Sequence, residues 1–406
     1  MIAGNLQKIC SLAKFRWFER SINSGTRANH SEMLRWAFDI AEEEKRSHSR
    51  ESVDISFEPV VAQGLVLANN ARRAYEGKYS ANSEGLRVLI HLPPSEHSAG
   101  GYSLFRNLAQ SLSFIGIPTQ CFAWRESIED HLRVFAPTVL ISSDASSYLN
   151  RIHWGAVDEY RKSNTLKLGL TASLEEYGNT PLSERLKWAE KHGVNFYYSF
   201  KAPEYLITRG EYRPYFEAGY KILSVEFGAN PLLYHPVAGI KKDLDFVFLA
   251  SSNGDKRQRY YSYLNNIFRC NVGLIDGPGW SGIKLFAPPD IHRFLYARAK
   301  VGINLHIDNS LDWPSELNER TYILAACGVP QLIDDAKLLP YRFSHDAMFV
   351  AKTPDEYTAL FHEIIARPDL AQKRAMKALR EVFEKHTTFH RAEKFALDLQ
   401  KLVLSR

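Results

Sequence analysis

"LDFVFLASSNGDKRQRYYSYLNNIFRCNVGLID", residues 244–276, decides the fold. It opens on a short apolar run, passes through small and polar residues into a basic helical segment, and closes on a second apolar run. Short apolar runs separated by a helix are strands buried on both faces, and such strands pair in parallel through a crossover helix. The unit is therefore strand, helix, strand of an α/β sheet.

The same rhythm extends in both directions. Downstream come the helix "DIHRFLYARAK", the strand "VGINLHI", a helix at about 316–327, and the strands "VPQLID" and "AMFVAK". Upstream the strands read "LRVLIHL" (86–92), "PTQCFAW", "TVLISS" (138–143), "LKLGL", "NFYYSF" (195–200) and "YKILSVEFG" (220–228). Two successive blocks predict an α/β protein of two Rossmann-like, doubly wound domains facing across a cleft. "GANPLLYHPVAG" is the expected hinge, because Pro231 and Pro236 interrupt regular structure. The expected division is a helical N-terminal extension at 1–80, an N-terminal domain at 85–230, a C-terminal domain at 231–380, and a closing helix at 381–406 that packs back on the N-terminal domain. The extension contains "HSEMLRWAFDIAEEEKR", amphipathic as a helix. Packing is its expected role, with dimerisation, covering of an acceptor site and membrane contact as open alternatives.

Composition narrows the function classes. At 406 residues, 45% hydrophobic and 24% charged, the chain suits two globular domains. A net charge of +5 is too small and dispersed to indicate a nucleic-acid partner. No apolar run approaches the ~20 residues of a membrane-spanning helix. The first residues carry charges where a signal peptide has its apolar block, so the expected location is cytoplasmic. Cys10, Cys121, Cys270 and Cys327 show no metal-ligand or disulfide spacing. The basic stretch "QKRAMKALREVFEKHTTFHRAEKF" reads as a solvated helix face, with peripheral membrane contact as the other reading.

Ligands of open parallel sheets bind beyond the carboxyl ends of the strands, so the loops there hold the candidates. After the first strand, "PPSEHSAGGY" places Glu96 and His97 on a loop and Gly100, Gly101 and Tyr102 at a helix start. Helix N-terminal amides there suit a phosphate or a sugar hydroxyl, and a tight turn is the plain alternative. Asp144 follows "TVLISS" and could take an acceptor proton or cap a helix.

In the second block Gly254, Lys256, Arg257 and Arg259 surround a helix start, where positive side chains are unfavourable unless an anion such as a diphosphate lies nearby, and a solvated basic turn is the plain alternative. Asp276, Gly277 and Trp280 form either a wall on which a base stacks or a glycine turn with a packed indole. Asn304 and His306 lie beyond a strand, His306 as a structural histidine or a catalyst. Glu316 and Glu319 fall in a first helical turn, where acids are favoured in any protein. That preference does not explain Asn318 and Arg320 beside them.

"LNERTYILAACGVPQLIDD", preceded by "IDGPGW" and "VGINLH", resembles the C-terminal domain of GT-B-fold glycosyltransferases, most closely the spore-maturation-protein (CgeB-like) branch. The resemblance spans residues 220–380, and 86–200 in outline. Asn318, Arg320, Tyr322 and Gly328 fall on that branch's pattern. The wider retaining branch carries two glutamates, of which the first matches Glu316 while the second position is Ile323. An isoleucine accepts no hydrogen bond from a ribose, so that contact is lost or passes to another group such as Glu319.

The resemblance implies a glycosyltransferase that moves a sugar from a nucleotide-diphosphate sugar to an acceptor hydroxyl, with no cofactor. It implies that the second domain holds the donor and the first a glycan, lipid-linked or small-molecule acceptor. Leaving-group charge would be met by Lys256, Arg257 and helix amides without a metal, since no DxD-like pair stands in a suitable loop. An inverting reaction would need a base, with Asp144, His97 and Glu96 as the ordered candidates. A nucleotide-sugar epimerase and a non-catalytic nucleotide-sugar-binding protein are the alternatives that the same architecture permits.

Overall fold

The computed structural model describes residues 29–46, 58–81, 85–174, 180–252, 256–281, 283–306 and 317–404. The chain forms two compact units, each taken here in its described part: Ala71–Asn230 with His386–Arg406, and Met1–Asn70 with Pro231–Lys385. Among the described residues helices α1 (His30–Arg46) and α2 (Pro59–Tyr75) come first, and α1 coincides with the amphipathic segment expected in the extension.

The first sheet contains β1 (Val88–Leu92), β2 (Thr119–Ala123), β3 (Val139–Ser143), β4 (Lys167–Thr171), β5 (Phe196–Ser199) and β6 (Ile222–Ser224). Their order is β2-β1-β3-β4-β5-β6, parallel throughout. The crossovers are built around α3 (Ala99–Phe114), α4 (Ile128–Phe135), α5 (Trp154–Ser163) and α6 (Leu182–Lys191). Leu132, Val157 and Ala189 from three of these helices meet Leu140, Leu168 and Tyr197 of the strands in one apolar cluster. This is why the inner strands β1, β3, β4 and β5 read as unbroken apolar runs: neither of their faces is left to water.

The second sheet contains β7 (Leu244–Leu249), β8 (Gly273–Asp276), β9 (Ala299–Asn304), β10 (Gln331–Asp334) and β11 (Phe349–Ala351), in the order β11-β10-β9-β7-β8, again parallel. Around it lie α7 (Lys256–Cys270), α8 (Pro289–Ala297), α9 (Glu319–Ala326), α10 (Pro354–Ala366) and α11 (Pro368–Lys385). Tyr260, Leu264 and Phe268 of α7 and Tyr357 and Phe361 of α10 share a core with Phe246, Phe248, Leu332 and Phe349. On α9 Thr321 to Ala326 are all buried, which explains the small residues of "AACG", and Gly328 ends that helix at φ +67°. Helix α1 packs on α8 and on β8. A last helix, α12 (Thr388–Leu404), belongs to the unit of the first sheet, where Phe389 stacks on Phe114 of α3 at 4.6 Å.

Both expected parallel sheets are present. Each reverses its winding once, between β1 and β3 in the first and between β7 and β9 in the second. Those two points are where a ligand crevice opens in doubly wound sheets. No helix among the described residues is long and apolar enough to cross a membrane.

Candidate functional site

At the reversal of the second sheet the last residues of β7 and β9 are joined by one side chain. Arg320, in the first turn of α9, donates Nε–H to the Leu249 carbonyl at 3.0 Å and Nη1–H to Asn304 Oδ1 at 3.2 Å. Its guanidinium lies 5.1 Å from the Phe248 ring centroid. Nη2 is left without a partner among the described residues, at a half-buried position. Asn304 is fully buried and fixed on both sides of its amide: Nδ2 donates to Thr321 Oγ1 (2.9 Å) and Gln331 Oε1 (2.7 Å), while Oδ1 also accepts from Asn318 Nδ2 (2.7 Å). Asn318 is the N-cap of α9, its Oδ1 accepting from the Thr321 N–H at 3.1 Å. Asn318 and Arg320 are thus explained: one caps the helix, the other carries a charge to the strand ends.

His306 holds the same cap from beneath. Its Nε2 accepts the Asn318 backbone N–H at 3.0 Å and its Nδ1 faces Asp334 Oδ1 at 2.6 Å. A backbone amide can only donate, so the ring proton sits on Nδ1 and His306 is a positioning histidine. Asp334 also accepts the His306 N–H and Arg259 Nη2 on Oδ2, both at 2.8 Å. Burial would raise the Asp334 pKa, but the His306 ring and then Arg259 outweigh it and the net shift is downward.

Helix α7 adds a second cation. Lys256, its first residue, donates to Ser251 Oγ at 2.9 Å and has no acidic partner among the described residues. Burial, and next the charge of Arg320, push its ammonium pKa below the ordinary value. Arg257 Nε–H holds the Ser252 carbonyl at 3.1 Å and so braces the loop. Ser252 Oγ is buried with no partner among the described residues. Two cations that raise each other's electrostatic energy, beside two helix N-termini and an unsatisfied hydroxyl, are stabilised by a polyanion. Gly254 and Glu316 lie outside the described residues. Glu319 starts α9 half-buried.

Two expected site residues have other roles, and the carboxylate of a third already has partners. Trp280 is buried, donates Nε1–H to the Ala250 carbonyl at 2.6 Å and lies parallel to Tyr260 at 6.1 Å, so its faces are taken by core and no base can stack there. Tyr322 is fully buried against Phe343, because its place in α9 points into the packed layer behind the cap. Asp276 is 2% exposed; Oδ1 meets His30 Nε2 of α1 at 2.6 Å and Oδ2 accepts the Ala287 N–H at 2.8 Å. Gly277 beside it takes φ +130°, and a Cβ there would stand 2.5 Å from the Ala250 carbonyl oxygen, so only glycine makes this turn.

At the first sheet, Glu96 and His97 sit exposed on the loop after β1, and His97 lies 4.5 Å from the Trp124 ring. Ser98 caps α3 by accepting the Gly101 N–H at 3.1 Å, with Gly100 exposed and Tyr102 half-buried in the first turn. Asp144 is neither a free base nor a helix cap. The cap position belongs to Ala145, and the Asp144 carboxylate is enclosed by Arg185, with which it pairs, and by the Tyr215 hydroxyl at 3.1 Å. Burial pushes its pKa up despite the guanidinium. His91, on β1, is fully buried, bonded to Ser142 Oγ at 3.0 Å, and burial takes its pKa down to about 4.

Sequence reasoning missed Asp334, Arg185 and His30. An acid ending the run "QLID" at a parallel strand terminus was a usable signal for Asp334. Arg185 and His30 gave none, since each lies on an amphipathic helix whose partner is distant in sequence. Among the described residues no group of three or more His, Cys, Asp or Glu side chains is placed to hold a metal ion.

Comparison with known proteins agrees with this architecture. Residues 265–396 match the family described as "Glycosyl transferase-like". No curated protein matches the sequence. Among solved structures, HepE from Anabaena in complex with UDP-glucose is similar at 10% identity and TM-score 0.51, over 78% of this chain and 100% of that one. The β-glucosyltransferase of phage T4 with its UDP-glucose substrate is similar at 13% identity and TM-score 0.50, over 79% and 100%. A glycosyltransferase from Rickettsia africae is similar at 11% identity and TM-score 0.50, over 79% and 99%. At these identities the likeness establishes the fold, the α/β arrangement of two parallel sheets seen in GT-B glycosyltransferases.

Proposed function

We propose that this chain is a glycosyltransferase that takes a sugar from a nucleotide-diphosphate donor and passes it to an acceptor hydroxyl. The observation that carries the reading is the pair Lys256 and Arg320, held together at the β7/β9 reversal without an acidic partner among the described residues. In transfer from such a donor the leaving group is a nucleoside diphosphate, and negative charge grows on it as the glycosidic bond breaks. Fixed cations and helix amides aimed at that charge lower the barrier without reorganising. The Lys256 ammonium, Arg320 Nη2 and the N-termini of α7 and α9 form that set, and this mode of charge compensation needs no metal. The UDP-glucose bound by two structures of similar fold supports a uridine donor as the first to try.

The acceptor belongs to the unit of the first sheet. With Asp144 tied to Arg185, an inverting reaction would use His97, then Glu96, as base, since both stand exposed at the β1 loop. The acceptor is a glycan, a lipid-linked sugar or a small molecule.

The test is a survey of nucleotide sugars with the purified protein, following release of nucleoside diphosphate with and without candidate acceptors. Acceptor-dependent release from one donor is the expected result. Conversion of donor to an isomer without acceptor would assign an epimerase, and tight binding without turnover would assign a binding protein.

A further inference from the structure

We propose that Asp276 is the acceptor for the donor's ribose hydroxyls and that His30, from the N-terminal helix, is the group those hydroxyls displace. The assignment rests on the donor-site reading above and adds to it a role for a segment outside both sheets. Asp276 ends β8, the neighbour of β7, and neighbouring strands lie ~4.8 Å apart. It therefore stands one strand away from the carbonyl that Arg320 holds. In doubly wound sheets a carboxylate at the end of the second strand, about twenty residues beyond the glycine of the first loop, takes ribose hydroxyls, and Asp276 stands at that distance from Gly254.

The other acid that ends a strand of this sheet, among the described residues, is engaged: it is Asp334, bonded to Arg259 and His306. Ile323, where the resemblance expects an acid, is buried. The Asp276 carboxylate is already oriented, because Gly277 fixes the turn and the Ala287 N–H fixes Oδ2. What stands on Oδ1 is His30 Nε2 at 2.6 Å, a donor in the place that a hydroxyl would take.

His30 can leave without unfolding the helix that carries it. Its side chain is 17% exposed, while α1 is anchored further along by Glu44 with Arg293, by Trp36 under the Arg298 guanidinium at 4.6 Å, and by buried Met33, Leu34 and Ala37. A change of the His30 rotamer would free Oδ1 of Asp276, while Oδ2 keeps the Ala287 N–H. Helix α1 then sets the apparent donor affinity, because a ligand that must first displace an internal partner has its Kd raised by the inverse of the fraction of time the site is open.

The experiment is calorimetric titration of the full-length protein and its variants with UDP, 2′-deoxy-UDP and inorganic pyrophosphate. His30→Ala should tighten UDP about tenfold, which is ~1.4 kcal/mol. It should tighten 2′-deoxy-UDP less and leave pyrophosphate unchanged. His30→Gln retains a donor for Asp276 and should bind UDP as the wild type does, a rescue that general loosening of α1 would not give. Asp276→Asn should weaken UDP and spare pyrophosphate. Unchanged or weaker UDP binding in His30→Ala overturns the displacement, and loss of 2′-hydroxyl discrimination in Glu319→Gln rather than Asp276→Asn overturns the ribose assignment. A wild type that binds neither UDP nor pyrophosphate refutes the donor site itself, and this inference with it.

Discussion

Replacing Arg320 by alanine separates a phosphate-binding role from a structural one. Two neutral-acceptor hydrogen bonds go, to Leu249 O and Asn304 Oδ1, and the latter oxygen keeps its bond from Asn318 Nδ2 at 2.7 Å. The stability cost is therefore about 1–2 kcal/mol, which for a unit of this size lowers Tm by about 2–8 °C. Loss of a charge-assisted contact from Nη2 to a diphosphate costs about 2–3 kcal/mol more, in the transition state. That is about 30- to 160-fold in kcat/KM. Arg320→Lys keeps the charge but not the fork and should fall between. The assay is initial-rate release of UDP from the identified sugar donor at saturating acceptor, with a melting curve for each variant and titration with uridine and UDP. Uridine, which has no phosphate, should bind all three proteins alike, and UDP should not. A kcat/KM for Arg320→Ala within about threefold of wild type, with the expected drop in Tm, would refute the reasoning.

Other perturbations follow from the same geometry. Trp280→Phe should lose about 1–2 kcal/mol of stability with its bond to Ala250 O, and leave donor KM within about threefold; a large KM change at unchanged Tm would restore the stacking role. Asp144→Asn leaves the Arg185 charge buried and should destabilise by about 3–5 kcal/mol, with Arg185→Met added costing much less than its single effect; a stable but inactive Asp144→Asn would return it to the position of base. His91 has its folded pKa lowered from 6.5 to about 4, so the fold favours the neutral ring. Its contribution is whole above pH 6.5 and is lost as pH falls towards 4, amounting to about 2 kcal/mol by pH 5. His91→Gln should flatten the denaturation profile between pH 6.5 and 5, and an unaltered slope would contradict the burial argument. His97→Ala should lower kcat with little change in donor KM or Tm if the loop after β1 serves the acceptor, and equal activity would exclude it as base.

The sheets were legible because parallel strands buried on both faces announce themselves as uninterrupted apolar runs, and "LDFVFLASS" and "NVGLID" did so without ambiguity. The place of the candidate site was legible for a related reason: strand ends are visible in sequence, so Asn304, Lys256 and Arg320 could be marked as candidates before their contacts were known. Direction was not legible. Trp280 and Tyr322 stand within a few residues of the strand ends, yet their rings go to the core, because a helical or turn residue's facing depends on backbone angles that a single sequence does not display. Long-range polar pairing was hidden for the same reason. Asp144 with Arg185 and Asp276 with His30 join residues 41 and 246 positions apart, and neither pair shares a local pattern. The resemblance supplied Arg320 but predicted no substitute for Ile323 beyond Glu319; the acid at the end of β8 became a candidate for the ribose only once its neighbour β7 and its partner His30 were placed.

The most direct test of the central claim is a crystal structure of the protein with bound UDP. Phosphate oxygens within hydrogen-bond distance of Lys256 Nζ and Arg320 Nη2, beyond the carboxyl ends of β7 and β9, are the predicted result. A diphosphate bound elsewhere, with both cations facing solvent, would contradict it.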